Sequence, residues 1–264
     1  MLGTEGEEAR VVGGAVRNAL LGEPVDDIDI ATAARPDQTS ALARAAGLKA
    51  IPTGAEHGTI TVVAGGRPFE VTTFRRDVET FGRRAVVAFS DDLSEDAARR
   101  DFTMNALYAA GDGRVIDPAG GLPDLHARRV RFVGDPDARI TEDFLRILRF
   151  FRFHARYGRD GAADPAALAA CARHAGGLAR ISRERIGAEM RKLLAAADPS
   201  DAVRLMEETG VLAVALPGAR AAGLAALVAA EIVAGAGDIA TAATQSNTAA
   251  QQALKGAELV AAAA

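Results

Sequence analysis

The chain has 264 residues, 49% of them apolar, so it can bury a sizeable core in one or two domains and is too apolar to be disordered. Its formal net charge is −4, which by itself does not call for a nucleic-acid partner, yet the positive charge is almost wholly arginine, lysine occurring only at Lys49, Lys192 and Lys255. Cys171 is the only cysteine, excluding an intrachain disulfide and a cysteine zinc site; no signal-peptide pattern opens the chain and no uninterrupted apolar segment could span a membrane, so a cytoplasmic location is expected.

In chain order, residues 1–10 read as a short, acidic, frayed start. Val11-Val12-Gly13-Gly14-Ala15-Val16-Arg17 reads as a buried strand, a glycine turn and the start of a helix that runs to Leu21 and is ended by Gly22 and Pro24. Gly13 and Gly14 let backbone N–H groups approach a ligand at a helix N-terminus, where anions are favoured, and Arg17 in the first turn can fork onto phosphate oxygens. In Val25-Asp26-Asp27-Ile28-Asp29-Ile30, a second strand is predicted. Asp27 and Asp29 then share one face, while Ile28 and Ile30 point to the core. Two convergent carboxylates beside a phosphate-binding turn suit a hard cation such as Mg²⁺. A second Asp-x-Asp, Asp135-Pro136-Asp137, reads only as a turn.

Pro36 introduces a helix to about Ala46, and 48–51 reads as a short strand. Residues 57–63 and 68–74, separated by Ala64-Gly65-Gly66-Arg67, form a hairpin pattern. On its second arm Glu70 is either a third carboxylate near Asp27 and Asp29 or an exposed strand residue, and His57 is a ligand contact or a turn histidine. Residues 77–92 read as a mobile polar loop. Within Ser90 to Ala106 the acidic start suits a helix N-terminus and the Arg99-Arg100 pair suits its end. A hairpin across Gly111-Asp112-Gly113, a turn-rich segment at 117–125 and an alternating edge strand at 128–133 follow. Beyond Pro136 the periods are helical. Ile140 to Phe153 reads as one helix with Thr141 as cap, and Asp143, Arg146, Arg149 and Arg152 spread over about half its circumference. Further helices are expected at about 165–175, 182–195 and 198–209. Residues 218–264 are alanine-rich and broken by Gly235-Ala236-Gly237 into two weak helices. The fold class expected is α+β. A head over 1–135 carries a mixed sheet with flanking helices. An all-helical neck over 136–217 and a short helical body over 218–264 follow.

Three stretches carry a resemblance. The run GGAVRNALLGEPVDDIDIAT resembles the head of the class II tRNA nucleotidyltransferases (CCA-adding enzymes) and bacterial poly(A) polymerases, within the nucleotidyltransferase superfamily of DNA polymerase beta. RRDFTMNAL is similar to that family's second signature, and EDxxRxLRxxRF to its base-recognition helix. ISRERIGAEMRKLL is similar to its last signature, a buttressing helix whose plain reading is amphipathic packing. The resemblance covers roughly 11–217. It implies that Asp27 and Asp29 hold two Mg²⁺ and that Gly14, Arg17 and Arg100 position a triphosphate, with Asp101 and Asn105 organising the site. It implies that Asp143 and Arg146 read the base, supported by Arg149 and Arg152. Cytosine and adenine both present an amino donor beside a ring-nitrogen acceptor, which a carboxylate and an arginine complement. The implied reaction is addition of CMP and AMP from CTP and ATP to the 3′ end of tRNA. Poly(A) or A-only addition, or an inactive nucleotide- or RNA-binding fragment, are the alternatives. The chain departs from the pattern at Asn18, where many relatives have aspartate, and in its short N-terminus and tail, which bear on tRNA affinity and product length.

Overall fold

The computed structural model describes residues 9–81, 84–159 and 161–222. Strand β1 (Ala9–Val12) runs into Gly13, whose φ of +71° suits glycine, and helix α1 (Gly14–Leu21) follows. A Cβ on Gly13 would stand 3.2 Å from Arg100 Nη1, so the turn and that arginine are close neighbours. Strand β2 (Asp29–Thr32), helix α2 (Pro36–Ala45) and strands β3 (Lys49–Gly54), β4 (Thr59–Ala64) and β5 (Arg67–Thr73) come next. Short strands β8 (Tyr108–Ala109) and β9 (Val115–Ile116) complete a seven-stranded sheet of order β3-β4-β5-β2-β1-β8-β9. Only β2 and β5 pair in parallel, so the sheet is mixed, as expected, and their register sets Asp29 beside Glu70. Asp27 precedes β2 rather than lying in it, but the alternation survives: Asp27 and Asp29 are exposed while Ile28 and Ile30 are buried.

Three expectations are corrected. Much of the stretch read as a mobile loop at 77–92 is an antiparallel ribbon of β6 (Arg75–Phe81) and β7 (Arg84–Phe89); the run Ala85-Val86-Val87-Ala88-Phe89 is strand-forming despite its polar neighbours. The helix expected between the acidic start after Ser90 and the Arg99-Arg100 pair is α3 (Leu93–Ala98), capped by Asp92, and a single tight turn follows at 103–105. Residues 128–133 form no edge strand, only one bridge between Phe102 and Phe132. Arg129 and Arg131 are both drawn to the fully buried Asp124 of α4 (Gly121–His126), which pulls the segment out of extended pairing. The helix read from Ile140 to Phe153 is two helices. Asp135 accepts from the Ala138 N–H at 3.0 Å and caps α5 (Pro136–Glu142), with Pro136 at its first position, so Asp135-Pro136-Asp137 is a helix start rather than a plain turn. Asp143 is extended, and α6 (Leu145–Tyr157) begins after it.

Helices α7 (Pro165–His174), α8 (Arg183–Leu194) and α9 (Ser200–Glu208) follow, close to the expected positions, and a short α10 (Val211–Ala215) that was not expected comes after them. Among the described residues no strand lies beyond Ile116. The two weak helices expected after 218 fall almost wholly outside the described residues. Among the described residues no helix is long and apolar enough to cross a membrane. Head and neck share one core. The Phe102 ring centroid lies 5.0 Å from that of Phe132 and 4.9 Å from that of Phe153, and Phe132 stacks on Phe150 at 5.9 Å. Phe102, Phe132 and Phe150 are fully buried. Because these rings come from both parts, denaturant should unfold 9–222 in one transition. Phe102→Ala should lower that single midpoint, at a cost of about 3–5 kcal/mol. Two separate transitions in circular dichroism would contradict a shared core.

Candidate active site

Over one face of the sheet, beside Asp29 at the start of the central strand β2, lies a cavity of about 220 Å³, lined among others by Asp29, Glu70, Thr72, Arg75, Asp96 and Arg100. Asp29 is open to solvent on one side, yet the desolvation imposed by the surrounding chain is the largest cause that raises the pKa of its carboxyl above the ordinary value; Asp27 and Glu70 add to it as like charges, and Arg100 opposes them. Three carboxylates thus act on one another at this place. Among the described residues no group of three His, Cys, Asp or Glu side chains is arranged as a closed metal cage. An open pair of carboxylates is the donor set that Mg²⁺ takes when substrate phosphates and waters complete its shell, so Asp27 and Asp29 fit that ion.

Arg100 is held at the cavity wall. Its Nε donates to the Tyr108 hydroxyl at 3.2 Å and its Nη2 to Asp96 Oδ2 at 3.2 Å, while the Tyr108 hydroxyl donates to the same Asp96 oxygen at 2.8 Å. Burial pushes the Tyr108 hydroxyl well above its ordinary pKa, so it stays a donor. On Arg100 burial works to lower the pKa, but Tyr108 and Asp96 outweigh it and raise it. The guanidinium is therefore a fixed cation beside the carboxylate cluster and the glycine turn.

Arg17 is placed differently. It is 6% exposed and does not line that cavity. Its Nη2 donates to the Tyr157 hydroxyl at 2.7 Å, its Nη1 to Asn105 Oδ1, and its Nε and Nη2 to Asn18 Oδ1 at 3.1 and 2.9 Å; its Cζ lies 4.0 Å from the Tyr157 ring centroid. Burial among these neutral partners lowers its pKa. It still underlies the turn, since a Cβ on Gly14 would lie 3.6 Å from Arg17 Nη2. Asn18 also donates to Pro24 O at 2.7 Å, a bond an aspartate could not make, and so ties the end of α1 to the segment that leads to Asp27.

The neck reaches the head through Asp101. This carboxylate accepts from Arg149 Nε at 2.9 Å and from Arg149 Nη2, and from Asn105 Nδ2 at 2.9 Å. Burial works to raise its pKa, but Arg149 and these hydrogen bonds prevail and hold it below the usual carboxylate range. Of the remaining predicted residues, Arg146 is bonded through Nη1 to Glu142 and to Arg139 O at 2.8 Å, and Arg152 donates to Glu189 of α8 at 2.6 Å. Asp143 accepts from Arg185 at 2.9 Å. The structure therefore gathers Asp27, Glu70 and Arg100 around Asp29 at the centre of the sheet, and sets Asp143 and Arg146 at the α5–α6 break. Arg17, Arg149 and Arg152 serve as ties between elements. Sequence reasoning missed Asp96, Tyr108, Tyr157 and Arg185. The Asp96–Arg100 spacing of four on a helical segment was a readable signal, and Arg185 lies in the ISRERIGAEMRKLL stretch that read as packing; Tyr157 gave none.

Residues 9–131 match the family described as "Poly A polymerase head domain", and residues 163–222 match "Probable RNA and SrmB- binding site of polymerase A". The mitochondrial CCA tRNA nucleotidyltransferase 1 of Homo sapiens is 47% identical over 192 residues, 72% of this chain and 44% of that protein. The CCA-adding enzyme of Geobacillus thermodenitrificans is 46% identical over 219 residues, 82% of this chain and 52% of that protein. The crystal structure of the Bacillus stearothermophilus CCA-adding enzyme in complex with CTP superposes with a TM-score of 0.72 at 42% identity, covering 84% of this chain and 52% of that one. A tRNA nucleotidyltransferase complexed with a primer tRNA and an incoming ATP analogue superposes at 0.67 and 28% identity, over 83% and 62% of the two chains. The chain spans about half the length of the curated relatives it matches. It belongs to the nucleotidyltransferase family of the CCA-adding enzymes and bacterial poly(A) polymerases.

Proposed function

We propose that this chain adds CMP and AMP, without a nucleic-acid template, to the 3′ end of tRNA, the RNA 3′-hydroxyl attacking the α-phosphate of CTP or ATP and pyrophosphate leaving. The observation that carries this reading is that Asp29, crowded by the like charges of Asp27 and Glu70, shares one cavity with Glu70 and the fixed Arg100 cation. Relatives whose structures are described with CTP, or with primer tRNA and an ATP analogue, support the substrate class. Asp27 and Asp29 would hold Mg²⁺, which when bound favours the attacking alkoxide and neutralises charge on the leaving group. Arg100, kept charged and oriented by Asp96 and Tyr108, meets the triphosphate at the Gly13–Gly14 turn, where the N-terminus of α1 favours phosphate. Asp143 accepts from the exocyclic amino group of cytosine or adenine, and Arg146 donates to the ring nitrogen. Guanine and uracil present the reverse order and are rejected. Arg149 and Arg152 keep the base-reading helix seated on the head and on α8. No side-chain nucleophile is required, because positioning and electrostatics carry such transfers.

Incubation with tRNA lacking its CCA end, Mg²⁺ and labelled CTP and ATP, resolved on a sequencing gel, should show addition of C, C and then A. ATP-only extension would move the assignment to A-adding or poly(A) synthesis, and no addition would overturn it. The strained carboxylate cluster gives a second prediction. A carboxyl whose folded pKa lies above its unfolded value loses stability as pH rises through the carboxylate range, because the folded state resists its ionisation. Asp29→Asn should therefore abolish transfer yet raise the melting temperature at neutral pH. The gain should shrink as acid protonates Asp29 in the parent protein. A variant less stable than the parent at neutral pH would contradict this.

A further inference from the structure

Helix α4 closes in a left-handed turn, and the residue that makes the turn is an arginine. Arg128 has a φ of +54°, which lets its N–H donate to Leu125 O at 3.1 Å and the Arg129 N–H donate to Asp124 O at 2.9 Å. Glycine takes this conformation freely, whereas the Cβ of any other residue crowds the following carbonyl. The fold otherwise keeps to that rule: the twelve other described residues with positive φ are all glycines. No contact among the described residues offsets the cost at Arg128. Its neighbours Arg129 and Arg131 both bind the buried Asp124, at 2.9 and 2.7 Å, but the Arg128 guanidinium meets no carboxylate, other acceptor or aromatic ring among the described residues. Backbone strain that no internal contact explains points to a contact outside the chain.

The strained residue is also firmly placed. The Thr103 N–H donates to Arg131 O at 3.0 Å and the Val133 N–H to Asp101 O at 3.1 Å, so the segment that carries Arg128 is tied to the Asp101 junction. Thr103 Oγ1 adds a bond to Asp124 Oδ2 at 2.7 Å. The charge of Asp164, the cap of α7, acts on Arg129, so Arg128 stands near the start of the 163–222 region that matches an RNA-binding family. It does not line the cavity beside Asp29.

We propose that Arg128 is a fixed contact for a phosphodiester of the RNA substrate, away from the reacting 3′ end; this rests on the reading of RNA as the substrate. A planar guanidinium forks onto two phosphate oxygens and stays charged at every working pH. Held at one place relative to Asp101, it fixes where the RNA backbone crosses the head. Glycine at this position relaxes the turn and loses the contact, so stability and RNA affinity oppose each other here.

The test is equilibrium binding of labelled tRNA lacking its CCA end to the full chain, without nucleotide, over a salt series, with melting temperatures measured in parallel. Parent protein, Arg128→Gly, Arg128→Ala and Arg128→Lys are compared. Arg128→Gly should melt about 2 °C above the parent, because the left-handed turn no longer carries a Cβ. It should bind tRNA about tenfold more weakly at low salt, the size expected for one lost charge-assisted hydrogen bond. The slope of log Kd against log salt should become shallower by about one, since one phosphate contact fewer releases its counterion. Arg128→Ala keeps the strain without the charge, and should bind as weakly as Arg128→Gly without its gain in stability. Arg128→Lys keeps both, and should retain the parent's salt slope and most of its affinity. An Arg128 that only closes α4 would leave affinity and slope unchanged in the Gly and Ala variants; that result overturns the inference, as does a parent protein that binds no tRNA. A parent that shows the predicted binding pattern but adds no nucleotide refutes the proposed function and leaves this inference standing.

Discussion

Asp101 accepts from Arg149 of the neck helix on one side and from Asn105 of the head on the other, and most of the site takes its position from that junction. Asn105 Oδ1 in turn accepts from Arg17, and Arg17 donates to Tyr157 at the far end of α6. The chain of contacts therefore leaves α6 at Arg149, crosses the head and returns to α6 at Tyr157. It passes directly beneath the glycine turn and beside Arg100, whose Nη1 reaches Asn105 O at 3.4 Å. Removing one partner of a carboxylate–arginine pair so enclosed strands the other charge, so this junction tolerates little change. It sits on the phenylalanine stack, with Phe102 next to Asp101 in the chain and Phe153 under Arg17, so apolar and polar ties fix the same interface.

The distribution of charge explains how a chain of net charge −4 can carry a site for anions. Acidic charge concentrates at the centre of the sheet around Asp29, where it destabilises itself and favours a bound cation. Three of the four arginines of α6 meet a carboxylate, Arg146 with Glu142, Arg149 with Asp101 and Arg152 with Glu189, while Arg156 lies over the Tyr157 ring at 5.4 Å. A planar guanidinium can pair with a carboxylate and still stack on an aromatic face, as Arg152 does over Phe153 at 4.6 Å. Arginine rather than lysine suits every one of these positions.

Much of this was legible in the sequence because it depends on local pattern. The strand–turn–helix–carboxylate order at 11–30 needs only glycine freedom and a period of two, and the helices after 165 need only their capping residues and apolar spacing. What sequence could not give depends on partners distant in the chain. Arg17 reads as a phosphate ligand until Tyr157, 140 residues away, is seen to hold it. Residues 128–133 read as a strand until the buried Asp124 is seen to collect Arg129 and Arg131. The helix break at Asp143 was hidden because Glu142 and Asp143 look like a first turn, whereas Asp135 had already capped the helix before them. Glu70 is an exposed strand residue that also stands beside Asp29, a neighbour that only the parallel register of β2 and β5 brings to it.

The central claim is that one cleft holds a triphosphate at Gly14 and Arg100, a cation at Asp27 and Asp29, and a base at Asp143 and Arg146. A crystal structure with CTP and Mn²⁺ tests all three at once. The account predicts anomalous density between the Asp27 and Asp29 carboxylates, phosphates against the glycine turn and Arg100, and the cytosine amino group within hydrogen-bond reach of Asp143. Metal and triphosphate bound elsewhere, or cytosine turned away from the α5–α6 break, would contradict it.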